Sequence, residues 1–537
     1  MSERMEAHWW QTAILYQIYV RSFYDSDGDG IGDLRGVLMK LDYLESLGVT
    51  AIWLCPFYPS PQVDFGYDVI DYKNVDPIFG TLEIFDELIA EVHRRKMRLL
   101  VDFVPNHTSI NHPWFEAARS SVRDPHRDWY IWSNPSETGG PPTNWLSEQG
   151  DSGWTWEAGT KQYYFHSFLT EQPDLNWRHP RVRLAMLDAM SFWLDRGVDG
   201  FRIDAAPYLI KDDRFRNNPP NPNHDEPDLA PQKIQLHCFD QDRPEVHDVI
   251  GWFRRLVDSY GEDRILIGET YLPPVKLIGY YGARGLTFPF NFQLVEKPWN
   301  LVNVRSSIDA LESRLPGGDW PNWVLGNHDR SRFASRAGSE YARMAAVILM
   351  TLRGTPTIYY GEEVGMSDIP VSPESSLDAM GRRCGRSRDP ERSPMQWSND
   401  TAGGFTTGHP WLPLADDFET VNARRQGQDP DSLLTLYRRI ITLRQASRAL
   451  MLGAYRSFDL NPHVLAYSRS SPGDDWFVMA NFCREPQDID VPMKFQGGEI
   501  HISTSTHDRR SPVGKSFSLG PYEAVVLGTP ATEGRPS

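Results

Sequence analysis

The chain is poor in cysteine. Cys55, Cys238, Cys384 and Cys483 are the four in 537 residues, far apart and without CxxC spacing. Their even number permits disulfides, but a chain of this length buries enough apolar surface to do without them. Long apolar runs are also missing. No stretch approaches the roughly 20 residues that a membrane-crossing helix needs. The opening MSERMEAHWW carries no apolar run of the signal-peptide kind. These absences lead us to expect no membrane association and a reducing cytoplasm. Basic residues are outnumbered, with 55 Lys and Arg against 72 Asp and Glu and a net charge of −17, so an electrostatic nucleic-acid footprint is excluded. Internal repeats and low-complexity tracts are absent as well.

What the chain does contain is a set of acids placed where apolar runs end. GFRID (200–204) ends in Asp204, RILIGE (264–269) in Glu269 and NWVLGNHD (322–329) in Asp329. A fourth run, RLLVDFV (98–104), opens into Pro105, Asn106 and His107. Short apolar runs of this kind read as buried parallel strands. Polar residues at strand C-termini are where an α/β barrel assembles its active site. Arg202 precedes Asp204 by two residues, hence on the same strand face, where a guanidinium favours an ionised carboxylate. Glu269 closes the apolar run ILIG, where desolvation favours a protonated carboxyl.

Strand-like and helix-like segments alternate through most of the chain, as βαβ units require. Strands are expected at 13–20, 51–54, 98–104, 200–204, 264–269, 287–292, 322–327 and 355–363. Helices are expected at 34–47, at about 81–96 with Thr81 as cap, at 181–196 and at 432–446. The segment 108–173, rich in Trp, Pro, Gly and Asn, is too long for a structureless loop and reads as an inserted subdomain. A polar stretch at 211–233 reads as a long loop over the site or a surface excursion. Beyond 455 the apolar period falls to two, which predicts a small antiparallel β-domain. The expected layout is a barrel over 1–107 and 174–452, an insertion over 108–173 and a β-domain over 453–537.

The segments DFVPNH, GFRIDA, IGET and LGNHD resemble the signature segments of glycoside hydrolase family 13, the α-amylase family. QPDLNW (172–177), DFGYD (64–68) and SRDPERSPMQW (387–397) are similar to its α-glucosidase and oligo-1,6-glucosidase branch. The resemblance runs in order from about residue 10 into the C-terminal region. It implies a (β/α)8 TIM barrel and a retaining glycosidase in which Asp204 is the nucleophile, Glu269 the acid/base and Asp329 the holder of the sugar 2- and 3-hydroxyls. His107 and His328 map onto the histidines that contact the same sugar. Asp64 and Arg388 map onto a clamp on the non-reducing-end glucose, with Tyr67 stacked beneath it and Phe168 as a further wall. Such a clamp closes the pocket and implies exo action on a small oligosaccharide; monomer and homodimer are both open from the sequence. Ala205, after the nucleophile, implies α-1,4 linkages of the maltose type, with transglucosylation as a second outcome. An oligo-1,6-glucosidase, a trehalose synthase and a sucrose-acting enzyme are the alternatives.

The turn Asp25-Ser-Asp27-Gly-Asp29-Gly-Ile31-Gly-Asp33 spaces its acids as an EF-hand loop spaces oxygen ligands. Asp25, Asp27, Asp29 and Asp33, with the Ile31 carbonyl, are candidate ligands of a structural Ca²⁺, with Mg²⁺ as the alternative. The family's similar turn after strand one implies the same. A bare solvated turn is the competing reading.

Overall fold

The computed structural model describes residues 7–223, 230–505 and 512–529. Eight parallel strands form one curved sheet. In chain order they begin with β1 (Leu15–Ile18), β2 (Ala51–Leu54) and β3 (Arg98–Phe103). An insertion then supplies β4 (Trp132–Ser133), β5 (Trp154–Glu157) and β6 (Gln162–Phe165). The large sheet resumes with β7 (Gly200–Ile203), β8 (Ile265–Gly268), β9 (Phe288–Pro289), β10 (Asn322–Val324) and β11 (Thr355–Tyr359). Its order is β10-β11-β1-β2-β3-β7-β8-β9. The two ends of this ladder, β9 and β10, are neighbours in the chain, so the fold is a (β/α)8 barrel with its seam between them.

The strands form because short β-branched and aromatic runs are buried on both faces, β1, β2, β7 and β8 along their whole length. The helices form on apolar stripes. Leu82–Arg94 buries Phe85, Leu88, Ile89 and Val92, and the Thr81 hydroxyl caps it by accepting from the Ile84 N–H. The helix expected at 34–47 is two helices, Leu34–Met39 and Leu41–Leu47, because Lys40 leaves helical geometry at φ −104° and ψ 6°. The Lys40 ammonium instead rests over the Tyr24 and Trp397 rings, 3.9 and 4.3 Å from their centroids.

Between β3 and β7 the chain folds into a helix, Pro113–Ser120, and the antiparallel sheet β4-β6-β5. Trp145, Trp154 and Phe165 form a separate small core there. The loop expected at 211–233 contains residues 224–229, which lie outside the described residues. Its remainder is pinned to the insertion, where the Asn144 N–H donates to the Asn217 side-chain oxygen and the Asn144 Nδ2 to the Asn218 carbonyl.

The chain ends in an antiparallel sheet built from β12 (Ala454–Phe458), β13 (Val464–Ser471), β14 (Asp474–Asn481), β16 (Ile500–Ser503) and β18 (Ala524–Gly528). A two-stranded ribbon, β15 (Gln487–Asp490) with β17 (Ser516–Leu519), lies beside it. The period of two has a physical meaning. Val464, Phe477, Met479, Val525 and Leu527 face one core, whereas Leu465, Tyr467, Val478, Ala480 and Val526 join the core of the barrel.

Candidate active site

Parallel register decides which residues meet at the C-terminal rim. Phe103, Ile203 and Gly268 lie side by side across β3, β7 and β8. One residue further, the Asp204 N–H donates to the Phe103 carbonyl and the Glu269 N–H to the Ile203 carbonyl, each at 2.9 Å. Asp204 and Glu269 are therefore adjacent and at one level. Arg202, on the same strand face as Asp204, is the register partner of Asp102. One nitrogen of its guanidinium donates to Asp102 at 2.9 and 3.1 Å and to Asp204 at 2.5 Å, while the other lies 3.0 Å from Glu269.

One guanidinium thus serves three carboxyls. Burial pushes the Asp204 carboxyl well above the usual range, Arg202 opposes the rise, and Glu269 and Asp102 add to it. Burial likewise lifts Asp102 to about 6 against the pull of Arg202. Arg202 thus favours the ionised form of Asp204, working against burial and two neighbouring acids. A cluster of this charge retains a proton at a pH where lone carboxyls have lost theirs.

Asp329 sits on the loop beyond β10, not at the strand end, because the strand stops at Val324. The Asn327 side chain holds the turn by accepting the Asp329 N–H at 3.1 Å. Arg392 donates to Asp329 at 2.9 Å, and Arg388 lies 3.3 Å from the same oxygen. Burial raises this carboxyl, but His328, Arg388 and Arg392 more than offset the rise and keep Asp329 ionised. Burial holds His328 well below the ordinary imidazole value. Its Nδ1 meets the Gln17 amide at 2.8 Å, which leaves the proton on Nε2, 3.1 Å from Asp329.

Arg388 gathers three acids. It donates to Asp64 at 2.5 Å and to Asp378 at 2.7 and 3.0 Å besides its contact with Asp329. The Gln172 amide donates to the other Asp64 oxygen at 2.8 Å and lies 3.1 Å from His107 Nε2. The Tyr67 ring stacks on His328 with centroids 5.2 Å apart, and its hydroxyl donates to Asp102 at 3.1 Å. Phe168 sits 5.2 Å from His107 and 5.1 Å from Tyr208, forming a wall between the insertion and β7. Burial lowers His107 below its ordinary value. Behind it the Asn106 amide reaches His107 Nδ1 at 3.2 Å and Asp174 at 3.1 Å. The buried Lys211 ammonium binds the Asn106 oxygen at 2.7 Å together with Asp174 and the Tyr208 carbonyl.

All ten expected substrate and catalytic residues, Asp204, Glu269, Asp329, Asp64, Tyr67, His107, Phe168, Arg202, His328 and Arg388, thus belong to one connected constellation. Sequence reasoning missed Asp102, Asp378, Arg392, Gln172 and Lys211. Asp102 left a signal, an acid inside the apolar run RLLVDFV. Arg392 left another, a second arginine four residues beyond Arg388.

The acidic turn lies apart from this constellation, against residues 405–411. One oxygen each of Asp25, Asp27 and Asp29 lie within 4.8 Å of one another. Burial raises Asp25, but the Thr406 hydroxyl and the Gly28 and Gly30 N–H groups more than offset it. Burial lifts Asp29, with added repulsion from its acidic neighbours. Asp33 is turned away from the three. Its oxygens accept from the Ser26 N–H at 2.8 Å, the Ser26 hydroxyl at 2.9 Å and the Gly36 N–H at 2.7 Å, capping Leu34–Met39. Three clustered hard oxygen donors suit a hard divalent cation.

Residues 17–453 match the family described as alpha amylase, catalytic domain, and residues 459–526 that described as maltogenic amylase, C-terminal domain. The chain is 38% identical over 556 residues to Maltase A1 of Drosophila melanogaster, covering 97% of this chain and 96% of the relative. It is 34% identical over 570 residues to the oligo-1,6-glucosidase of Parageobacillus thermoglucosidasius, covering 97% and 99%. The solved structure of the α-glucosyl transfer enzyme XgtA superposes with a TM-score of 0.91 at 36% identity, covering 98% of this chain and all of that one.

Proposed function

Because the chain belongs to the α-amylase family and is a glycoside hydrolase, we propose that it is an exo-acting, retaining α-glucosidase. It takes glucose from the non-reducing end of short α-1,4-linked glucosides of the maltose type, passing some of it to sugar acceptors. The observation that carries this reading is Arg388, which joins Asp64, Asp378 and Asp329 across separate loops. A guanidinium and carboxylates so linked close one end of a pocket and present polar groups to the far hydroxyls of a terminal sugar. An open cleft for internal cleavage has no place for such a barrier.

The chemistry follows from the rim. Asp204 attacks the anomeric carbon as the bond to the departing oxygen breaks, and Glu269 gives that oxygen its proton. Glu269, now a carboxylate, then takes a proton from water. The water oxygen bonds to the anomeric carbon and Asp204 leaves. A sugar hydroxyl in place of water gives transfer. Arg202 touches both acids throughout, so it compensates whichever of the two is charged. Asp329, kept ionised by its arginines, accepts from sugar hydroxyls and favours the distorted ring of the transition state. Ala205 supports the α-1,4 assignment, being a small residue next to the nucleophile.

In the same reading Asp25, Asp27 and Asp29 hold a structural Ca²⁺, which would neutralise three mutually repelling carboxylates and tie the turn after β1 to residues 405–411. It supplies stability and no step of the reaction.

Product chromatography on maltose, isomaltose, sucrose, trehalose and soluble starch tests the assignment. Glucose from maltose with little action on starch is expected. Random internal cleavage of starch would sink the closed-pocket reading. Preferential turnover of isomaltose, sucrose or trehalose would replace the maltose assignment.

A further inference from the structure

The buried Lys211 ammonium has an acceptor for each of its three protons: the Asn106 side-chain oxygen, Asp174 and the Tyr208 carbonyl. We propose that Lys211 is a positioning residue of the reaction. Acting through the Asn106 amide, it fixes His107 as the tautomer with its proton on Nε2, so that the pocket meets an N–H donor there.

Donors and acceptors set the order of this relay. An ammonium carries protons and no lone pair, so the Asn106 atom 2.7 Å from it is the oxygen and the other is the amide nitrogen. Asp174 agrees from the opposite side, accepting from that nitrogen at 3.1 Å. The amide cannot turn over without setting donor against donor at Lys211 and acceptor against acceptor at Asp174. Lys211, Asn106, His107 and Asp174 are all buried, so bulk water does not compete for the amide.

The same nitrogen faces His107 Nδ1 at 3.2 Å, so Nδ1 accepts. The ring proton is then on Nε2, which donates to the Tyr67 carbonyl at 3.1 Å. Gln172 Nε2 also lies 3.1 Å from His107 Nε2 and would favour the opposite tautomer, but it already donates to Asp64 at 2.8 Å. The opposite tautomer would gain that one contact and lose two, with Asn106 and with Tyr67. In the glucosidase reading, on which the role in the reaction rests, His107 holds an oxygen of the bound sugar by donating to it.

The tautomer itself can be read without substrate. ¹⁵N NMR of the histidine-labelled full chain, with the His107 signals assigned by their loss in His107→Asn, is expected to show a protonated Nε2 and a bare Nδ1. A proton on Nδ1 would overturn the proposal. Lys211→Met alone leaves the Asp174 charge buried and unpaired, so the test variant is Lys211→Met with Asp174→Asn, which removes both charges of the pair. There the Asn106 amide is free to turn, and the His107 signals should move to the averaged shifts of two tautomers. With maltose, kcat should fall roughly 10–100-fold, as when the outer partner of a metal-bound histidine is removed, and KM should change less. His107 signals unchanged in this variant would make Lys211 a brace for the fold alone and overturn the proposal. The expected tautomers in both proteins, with no glucose released from maltose by the wild type, would uphold the relay while counting against the glucosidase reading.

Discussion

Asp102 faces Arg202 across the β3–β7 ladder and holds one guanidinium nitrogen with both carboxylate oxygens, at 2.9 and 3.1 Å. Asp102 is fully buried and has two further donors, the Tyr67 hydroxyl and the Trp53 indole at 3.1 and 3.2 Å. It aims the arginine that in turn touches Asp204 and Glu269. Removing one member of such a pair leaves an uncompensated buried charge, which typically costs about 3–5 kcal/mol. Asp102→Ala is expected to lose stability on that scale in urea denaturation. Asp102→Asn should keep the fold and lower kcat more than it raises KM, since Arg202 would lose aim and not presence. Wild-type kcat in Asp102→Asn would show that Arg202 positions itself.

Asp204→Asn should abolish turnover, with kcat reduced by at least about 10⁴-fold on the scale of other covalent catalysts, while thermal stability and glucose binding persist. A cyclitol or fluoroglucoside inactivator should label Asp204, as read by mass spectrometry of peptides. A label on another acid refutes the nucleophile assignment. α-Glucose should be the first anomer seen by NMR, and the Asp204 and Glu269 carboxyls should stand roughly 5–5.5 Å apart in a crystal structure.

Ala205 adopts a left-handed backbone conformation, φ 45° and ψ 41°, and its N–H donates to Glu269 at 2.9 Å. A β-branched residue fits poorly there, and sparsely populated conformations of this kind cost of order 1–3 kcal/mol. Ala205→Val is expected to lower the maltose-to-isomaltose activity ratio by about tenfold or more, with a reduced melting temperature. If the ratio holds while the melting temperature falls, Ala205 shapes the acid/base and not the linkage preference.

Chelation should lower the melting temperature of the wild type, and Asp29→Ala should lower it similarly and abolish the response to chelator. Glucosidase turnover per folded molecule should stay the same in both. A thermal scan indifferent to chelator would leave the turn as a hydrogen-bonded loop without metal.

His237 gives a pH signature. Its Nδ1 faces Asp240 and its Nε2 the Gln232 carbonyl, both at 2.8 Å, and both partners are acceptors, so the ring carries two protons. Burial pulls its pKa down, but Asp240 and the Gln232 carbonyl outweigh this and raise it above the ordinary value. A raised pKa means stabilisation fully present below the unfolded value of about 6.5 and lost as pH rises through the folded one. The gap in melting temperature between wild type and His237→Ala should therefore be widest near pH 6 and shrink toward pH 9. A gap that does not change over this range would mean a neutral ring.

Much of this architecture is legible in the chain because buried strands and one-sided helices leave direct marks. GFRI and ILIG need no partner to be recognised as strands, and Thr81 announces a helix start. The interior of the insertion is not legible, since its strands are short and its core is three aromatics, Trp145 from a loop, Trp154 from β5 and Phe165 from β6. The split at Lys40 was hidden because apolar spacing continues across it and the cause is a pair of rings, Tyr24 and Trp397, remote in sequence. In the site, the residues at strand ends could be read from their own segments. Asp378 and Lys211 could not, because each acts on a side chain brought to it by loop closure, and Asp102 showed only as an acid in an apolar run, its partner Arg202 being set by register. Spacing along the chain shows which residues share a face of one strand, but not which face the neighbouring strand turns toward it.

The Lys211 ammonium closes a knot of three distant segments, taking Asn106 after β3, Asp174 at the end of the insertion and the Tyr208 carbonyl after β7. The ends of the barrel lie much further apart in the chain, Leu15 pairing with Thr357 where β1 meets β11. The knot is thus the shorter closure, and it makes the insertion a working part of the pocket: without residue 174 brought back to residue 106, the support behind His107 is missing whether or not the barrel is closed.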